Sequence, residues 1–124
     1  MYARVVSHEK PAEPEPMDRA KAEEVARIMQ ALAAPSRVMI LWRLSLGPAS
    51  VSDLARTLEL NPSAVSHQLR VLRLLRLVVG EREGRRVSYA LHDPHVADML
   101  EEAAFHTEHA RLGLVDRPTG GTLQ

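Results

Sequence analysis

Apolar positions recur at helical spacing up to about residue 75 and then alternate. Ala22, Val25, Ile28 and Leu32 form one stripe behind Asp18, a good helix-capping residue, and predict a first helix to about Ala33. Pro35 fits the first turn of a second helix, which runs through Val38, Leu41 and Leu44 until Gly47-Pro48 stops it. In Ser50-Val51-Ser52-Asp53 the outer two residues can cap each other, opening a short third helix with Val51, Leu54, Ala55 and Leu58 inward. Asn61-Pro62 repeats the start signal for a fourth, reaching Leu75, with Val65, Leu69 and Leu72 as its buried row. Two short helices over 51–58 and 62–75, joined by a tight link, are the helix-turn-helix pattern. The period then changes: Leu77-Val78-Val79 leads into a run of charge, and Val87, Tyr89 and Leu91 alternate cleanly. Gly84-Arg85 between the two extended runs suits a two-residue type II′ turn. A hairpin with arginines at its tip, directly after a helix-turn-helix, makes a winged helix. The expected fold is mainly α with this one small β-hairpin.

The remaining segments frame that unit. Residues 1–16 end in EKPAEPEP, where alternating proline and acid predict an extended, disordered tail. Residues 17–112 form the folded domain, and 113–124, with Gly113, Pro118, Gly120 and Gly121, read as a flexible tail. A long last helix covers 92–112, HDPHVADMLEEAAFHTEHARL.

Composition narrows the chemistry. The 124 residues suit a single domain, and 3% aromatic content leaves a core of Leu, Val, Ala and Met. With no cysteine, disulfides and thiolate ligands are excluded, so any metal must be held by nitrogen and oxygen. No signal peptide or long apolar run is present, which predicts a cytoplasmic protein with no membrane partner. No HExxH, GxSxG or phosphate-binding loop occurs, so an enzyme is not expected.

Formal net charge is zero, yet its distribution is uneven. Residues 61–86 carry six arginines against Glu81 and Glu83, whereas 92–110 carry Asp93, Asp98, Glu101, Glu102 and Glu108 with no Lys or Arg. The first segment suits an anionic partner and the second a cation; two solvated faces of opposite sign would look the same. On the fourth helix Ser63, Ser66, His67, Gln68, Arg70 and Arg73 fall off the buried row and are candidates to meet double-stranded DNA. Arg82, Arg85 and Arg86 of the wing would reach phosphates or a neighbouring minor groove.

Four of the six histidines lie in the last helix. His95 and His106 are eleven residues apart, a rotation of about 1100°, so they share a face with about 20° of drift. Along the axis they stand about 16 Å apart, too far to ligate one ion with bonds of about 2 Å. An antiparallel second copy would bring His95 of one chain level with His106 of the other. The midpoint of the pairs 95 with 106 and 93 with 109 falls near residue 101, which puts Leu100, Ala103 and Ala104 at the expected seam of a homodimer. Histidines at helical spacing are also common as plain surface or interface residues. His92 is a rival ligand beside Asp93, but at the strand-to-helix junction it is expected to point differently from His95 and to be exposed.

The segments LAAPSRVMILWRL, NPSAVSHQLRVLRLLRLV and GEREGRRVSYAL together resemble the ArsR/SmtB family of winged-helix transcriptional repressors, over about residues 17–112. The resemblance implies a homodimer joined through its terminal helices and bound to operator DNA. LHDPHVADMLEEAAFHTEHARLGL is most similar to family members that sense metal on the last helix, in particular the nickel/cobalt type. It implies the ligands Asp93 and His95 from one protomer with His106 and His109 from the other, and weaker operator binding when metal is held. VSDLARTL lacks the cysteines of the thiolate-using members. In the nickel/cobalt type, extra ligands come from the N-terminus and from histidines beyond the pair; here Arg111 stands at one such position and His8 is the one histidine in the tail. Three imidazoles and a carboxylate make a tetrahedral set for Zn(II) or Co(II), whereas Ni(II) prefers more ligands and would draw on His8. A Ni(II)/Co(II)-responsive repressor is expected, with a Zn(II)-responsive one or a winged-helix DNA binder that senses no metal as alternatives.

Overall fold

The computed structural model describes residues 15–113. His8 and nearly all of both expected tails lie outside the described residues. The elements follow in the order α1 (Arg19–Ala31), α2 (Pro35–Leu44), α3 (Val51–Leu58), α4 (Pro62–Leu74), β1 (Val78–Glu83), β2 (Arg86–Leu91) and α5 (Pro94–Arg111). Four of the five helices start on a side-chain cap, which satisfies N–H groups that have no partner within the helix. Asp18 accepts from the Lys21 N–H at 2.8 Å, and Asn61 accepts from Ser63 and Ala64 at 2.7 and 3.3 Å. Ser50 and Asp53 cap each other, with the Asp53 N–H donating to Ser50 Oγ at 3.1 Å and the Ser50 N–H to Asp53 Oδ2 at 3.3 Å. The cap that opens α5 is Asp93, whose Oδ1 accepts the His95 N–H at 2.8 Å.

α3 and α4 form the expected helix-turn-helix, and Val65, Leu69 and Leu72 are the buried row of α4. The link between them turns through Glu59, which takes a left-handed conformation at φ 56° and ends α3. The core gathers Ile40, Leu41, Leu44, Leu54, Val65, Leu69, Leu72, Leu77 and Val78 from α2, α3, α4 and the start of the hairpin. On α2 the inward face rotates slightly from the expected one: Ile40 is fully buried and Val38 only partly. α1 reaches this core with Ala31, flanked by Ile28 and Leu32.

The hairpin pairs Val78 with Leu91 through to Glu83 with Arg86, leaving Gly84 and Arg85 as the turn. Gly84 takes φ 65°, and Arg85 does not take a positive φ, as a type II′ turn requires. A second tie was not legible in the sequence. Ala49, in the loop before α3, bridges Tyr89 through two main-chain bonds of 3.0 and 2.8 Å. Gly80 lies opposite Tyr89, and a Cβ there would stand 3.1 Å from Tyr89 Cε1, so the bare backbone admits the ring. The wing is therefore anchored along β2 as well as through its own turn.

α5 enters the core with Val96, Ala97 and Leu100 and then leaves it. From Glu101 to Glu108 every residue is exposed. This corrects the expected seam: Leu100 is spent inside its own protomer, and Ala103, Ala104 and Phe105 are the uncovered apolar residues beyond it. Among the described residues no helix is long and apolar enough to cross a membrane.

Candidate metal centre and nucleic-acid interface

The start of α5 carries half of the expected ligand set. Asp93 Oδ1 lies 3.2 Å from His95 Nδ1, and Asp93 Oδ2 lies 3.1 Å from His92 Nδ1. Two ligands about 2 Å from one tetrahedral ion stand about 3.3 Å apart, so Asp93 and His95 fit neighbouring corners of one coordination shell. Burial pushes the Asp93 carboxyl up, but the His92 hydrogen bond, then the His95 N–H and ring, outweigh it and hold it below the usual carboxylate range. The group is an anion at neutral pH, ready for a cation. An ionised carboxylate only accepts, so in the metal-free protein each imidazole presents Nδ1–H to it, and His95 Nδ1 must give up that proton before it can ligate. His92 is exposed and points differently from His95, as expected, and its ring bonds the opposite oxygen of the same carboxylate because Asp93 sits between them as the helix cap.

The other half lies near the far end of α5. His106 is exposed, and His109 is half-buried with its ring 4.6 Å from that of Phe105, tilted by 43°. His106 and His109 are three residues apart and so project from one face. Among the described residues no three His, Asp or Glu side chains converge on a point that could hold an ion. His92 and His95 bond opposite oxygens of Asp93 and so do not converge, and the helix length separates that pair from His106 and His109. Each protomer thus carries two half-sets of donors at the two ends of one helix.

The DNA-facing candidates divide into free and engaged groups. Ser63, Ser66, His67, Arg70 and Arg73 are all exposed on α4. Arg70 and Arg73 line a cleft with Ser66, Leu69 and Tyr89, between the helix and the base of the wing. Gln68 differs. Its Oε1 accepts from Arg37 Nε at 2.6 Å and its Nε2 donates to Ser36 Oγ at 3.1 Å, so the amide braces α4 against α2. It is half-buried there, where abandoning those bonds would cost free energy. In the wing, Arg82 and Arg85 are exposed and pair with no acidic group among the described residues. Arg86 is held instead: its Nη2 donates to Ser50 Oγ at 2.8 Å and lies 3.5 Å from Asp53 Oδ2. The main-chain N–H and hydroxyl of Ser50, then Arg56 and Arg86, outweigh a small opposing effect of burial and keep the Asp53 carboxyl below its usual range. Gln68 and Arg86 are thus DNA-facing candidates that are also engaged within the protomer. Among the described residues the DNA-facing candidates whose side chains have no partner are Ser63, Ser66, His67, Arg70, Arg73, Arg82 and Arg85, four of them cations.

Sequence reasoning missed Asp93 as a cap although the signal was present. Asp93-Pro94 has the same form as Asn61-Pro62, a capping residue followed by proline at the first helical position. The bonds of Gln68 and Arg86 span 31 to 36 residues and had no local signal.

This geometry has close counterparts. Residues 34–79 match the model of the family described as bacterial regulatory protein, arsR family. Over 107 residues the chain is 56% identical to the HTH-type transcriptional regulator NmtR of Mycobacterium tuberculosis, covering 86% of this chain and 89% of that protein. The chain belongs to the ArsR family. It is 42% identical over 98 residues to a transcriptional repressor SmtB homolog of Synechocystis, covering 79% of this chain and 74% of that one. The solution structure of apo-NmtR matches with a TM-score of 0.68 at 53% identity, covering 90% of this chain and 95% of that one. A homodimeric winged helix-turn-helix DNA-binding domain from Mycobacterium bovis matches with a TM-score of 0.68 at 29% identity, covering 78% and 92% of the two chains. As an ArsR-family winged helix, the protein is a transcriptional repressor and not an enzyme.

Proposed function

We propose that this ArsR-family repressor occupies a two-fold related operator in the cytoplasm as a homodimer and releases it when Ni(II) or Co(II) is held between its last helices. The observation that carries the reading is the pair of half-sets on α5. Asp93 and His95 already stand at ligand spacing, and His106 and His109 project from the bare half of the same helix. An antiparallel second copy supplies the missing half to each. The uncovered Ala103, Ala104 and Phe105 give that copy an apolar surface to pack on. A bound ion contributes attraction for these donors. The chain contributes their geometry: fixing α5 against its counterpart fixes the distance between the two α4 helices, which must enter major grooves about 34 Å apart. Ser63, Ser66, His67 and Arg70 then meet base edges and phosphates, with Arg73, Arg82 and Arg85 toward the backbone. His8 is the candidate for an added ligand that would favour Ni(II).

A Zn(II)-responsive repressor is the second reading. It is favoured by the donor count, since Asp93, His95, His106 and His109 make a complete tetrahedral set without the tail. Fluorescence anisotropy with operator DNA, adding Ni(II), Co(II) and Zn(II) in turn, distinguishes the two. The effective ion should weaken operator binding by about five- to 150-fold. In His106→Ala that response should vanish while metal-free DNA binding persists. Deleting residues 1–16 should remove the nickel response alone if His8 is a ligand. A wild-type chain whose operator affinity ignores all three ions is a DNA binder with no metal effector.

A further inference from the structure

His92 stands between the base of the hairpin and the candidate metal centre. Its main-chain N–H donates to Leu77 O at 2.9 Å, and the Leu77 N–H donates in turn to Leu72 O, also at 2.9 Å, in the last turn of α4. Between those two bonds the chain passes through Arg76 in a left-handed conformation at φ 61°, a tight reversal that leaves little slack. On its other side the His92 ring bonds Asp93 Oδ2 at 3.1 Å. The opposite oxygen, Oδ1, is the one beside His95 Nδ1 and bonded to the His95 N–H. His92 thus grips the far oxygen of the carboxylate, and the near oxygen faces the neighbouring imidazole.

From this arrangement we propose that His92 is a positioning residue: its ring holds Asp93 in its metal-binding orientation, and its main-chain bond to Leu77 fixes where that ring stands. The inference rests on the metal-responsive reading above. Carboxylates that ligate metals are themselves oriented by hydrogen bonds, and losing such an outer partner costs about ten- to a hundredfold in metal affinity. The main-chain bond to Leu77 O continues the hairpin ladder and anchors the residue that carries the ring. His92 contributes no ligand in this scheme. It sets where the ligand stands.

Two measurements on the full chain test this. Titrations with Zn(II), Co(II) and Ni(II) should show His92→Ala binding about tenfold more weakly than wild type, with His92→Gln, which keeps an N–H donor, partly restored. Nitrogen-15 NMR of the metal-free protein should find the His92 ring protonated at Nδ1. Unchanged or tighter metal binding in His92→Ala, or a ring protonated at Nε2 alone, overturns the inference. A wild-type chain that takes up no ion instead removes the functional reading on which it stands, and the NMR result keeps the two failures apart.

Discussion

In α4 the inward row is covered completely by the same protomer, whereas in α5 full burial stops at Leu100 and the helix continues for about three more turns, exposed except at half-buried His109. Both helices are amphipathic enough to be read from sequence, yet they meet different needs. In the proposed function α4 presents Ser63, Ser66 and Arg70 at a fixed angle; its back is locked by Val65, Leu69 and Leu72 and its side by the Gln68 brace. In the same proposal α5 carries donors that one protomer does not bring together, and its outer half is uncovered. A helix of which half is bare gains little stability alone, since most helical stability comes from tertiary packing. The helix-turn-helix is a finished object. The last helix is half of one.

The largest effect that would sharpen this contrast belongs to the finished half. Leu69→Ala removes a buried side chain at 1% exposure and should cost about 2–5 kcal/mol in urea denaturation. Loss below about 1 kcal/mol would mean that α4 is not the rigid member. Next, Ala103→Glu combined with Ala104→Glu should leave the urea midpoint of the protomer nearly unchanged but weaken self-association by about a hundredfold or more, because like charges meet across the two-fold axis. Sedimentation velocity reads this directly. A double variant that stays dimeric would place the contact elsewhere.

Acid separates the two regions less strongly. Asp53 clasps the wing to α3 and Asp93 caps α5, and both carboxyls are held below the usual range. A carboxyl depressed in the folded state contributes stability above its unfolded pKa of about 3.9, and that contribution is lost as pH falls through the lower folded value. Asn still caps a helix, so Asp93→Asn and Asp53→Asn each remove the charge while keeping the cap. Each should flatten the fall in thermal stability below about pH 4, and a variant with the wild-type acid limb would count against that clasp or cap. The smallest effect is expected at Glu59, whose left-handed φ of 56° suits glycine. Glu59→Gly should raise stability by about 0.5–1 kcal/mol, as seen by differential scanning calorimetry.

The elements themselves were legible because their signals are local. Asp18, Ser50-Asp53 and Asn61-Pro62 each start a helix where the capping rule says, and Gly84 marks a turn that needs a positive φ. The spacing of His95 and His106 also showed that one chain could not complete the set, and the described side chains do not converge. What stayed hidden depends on distance in sequence or on competition between partners. Leu100 had two apolar surfaces available, its own core or a second copy, and periodicity cannot choose between them. Arg86 was read as a phosphate contact because it sits in a basic run, yet Asp53 and Ser50 lie within its reach once β2 folds against α3. An exposed His92 that points differently from His95 is expected from the sequence and found; that Asp93, once it caps the helix, offers one oxygen to each ring has no local signal.

The bridge between Ala49 and Tyr89 also bears on the thermodynamics of operator binding. A wing joined to the body only through its own two strands would be an isolated hairpin, marginal in water, and DNA would have to order it on contact. With β2 also bonded to residue 49 and Arg86 fastened to Ser50, that ordering is complete before the operator arrives. The heat capacity change of association should therefore reflect the interface alone, without the additional negative contribution that accompanies coupled folding.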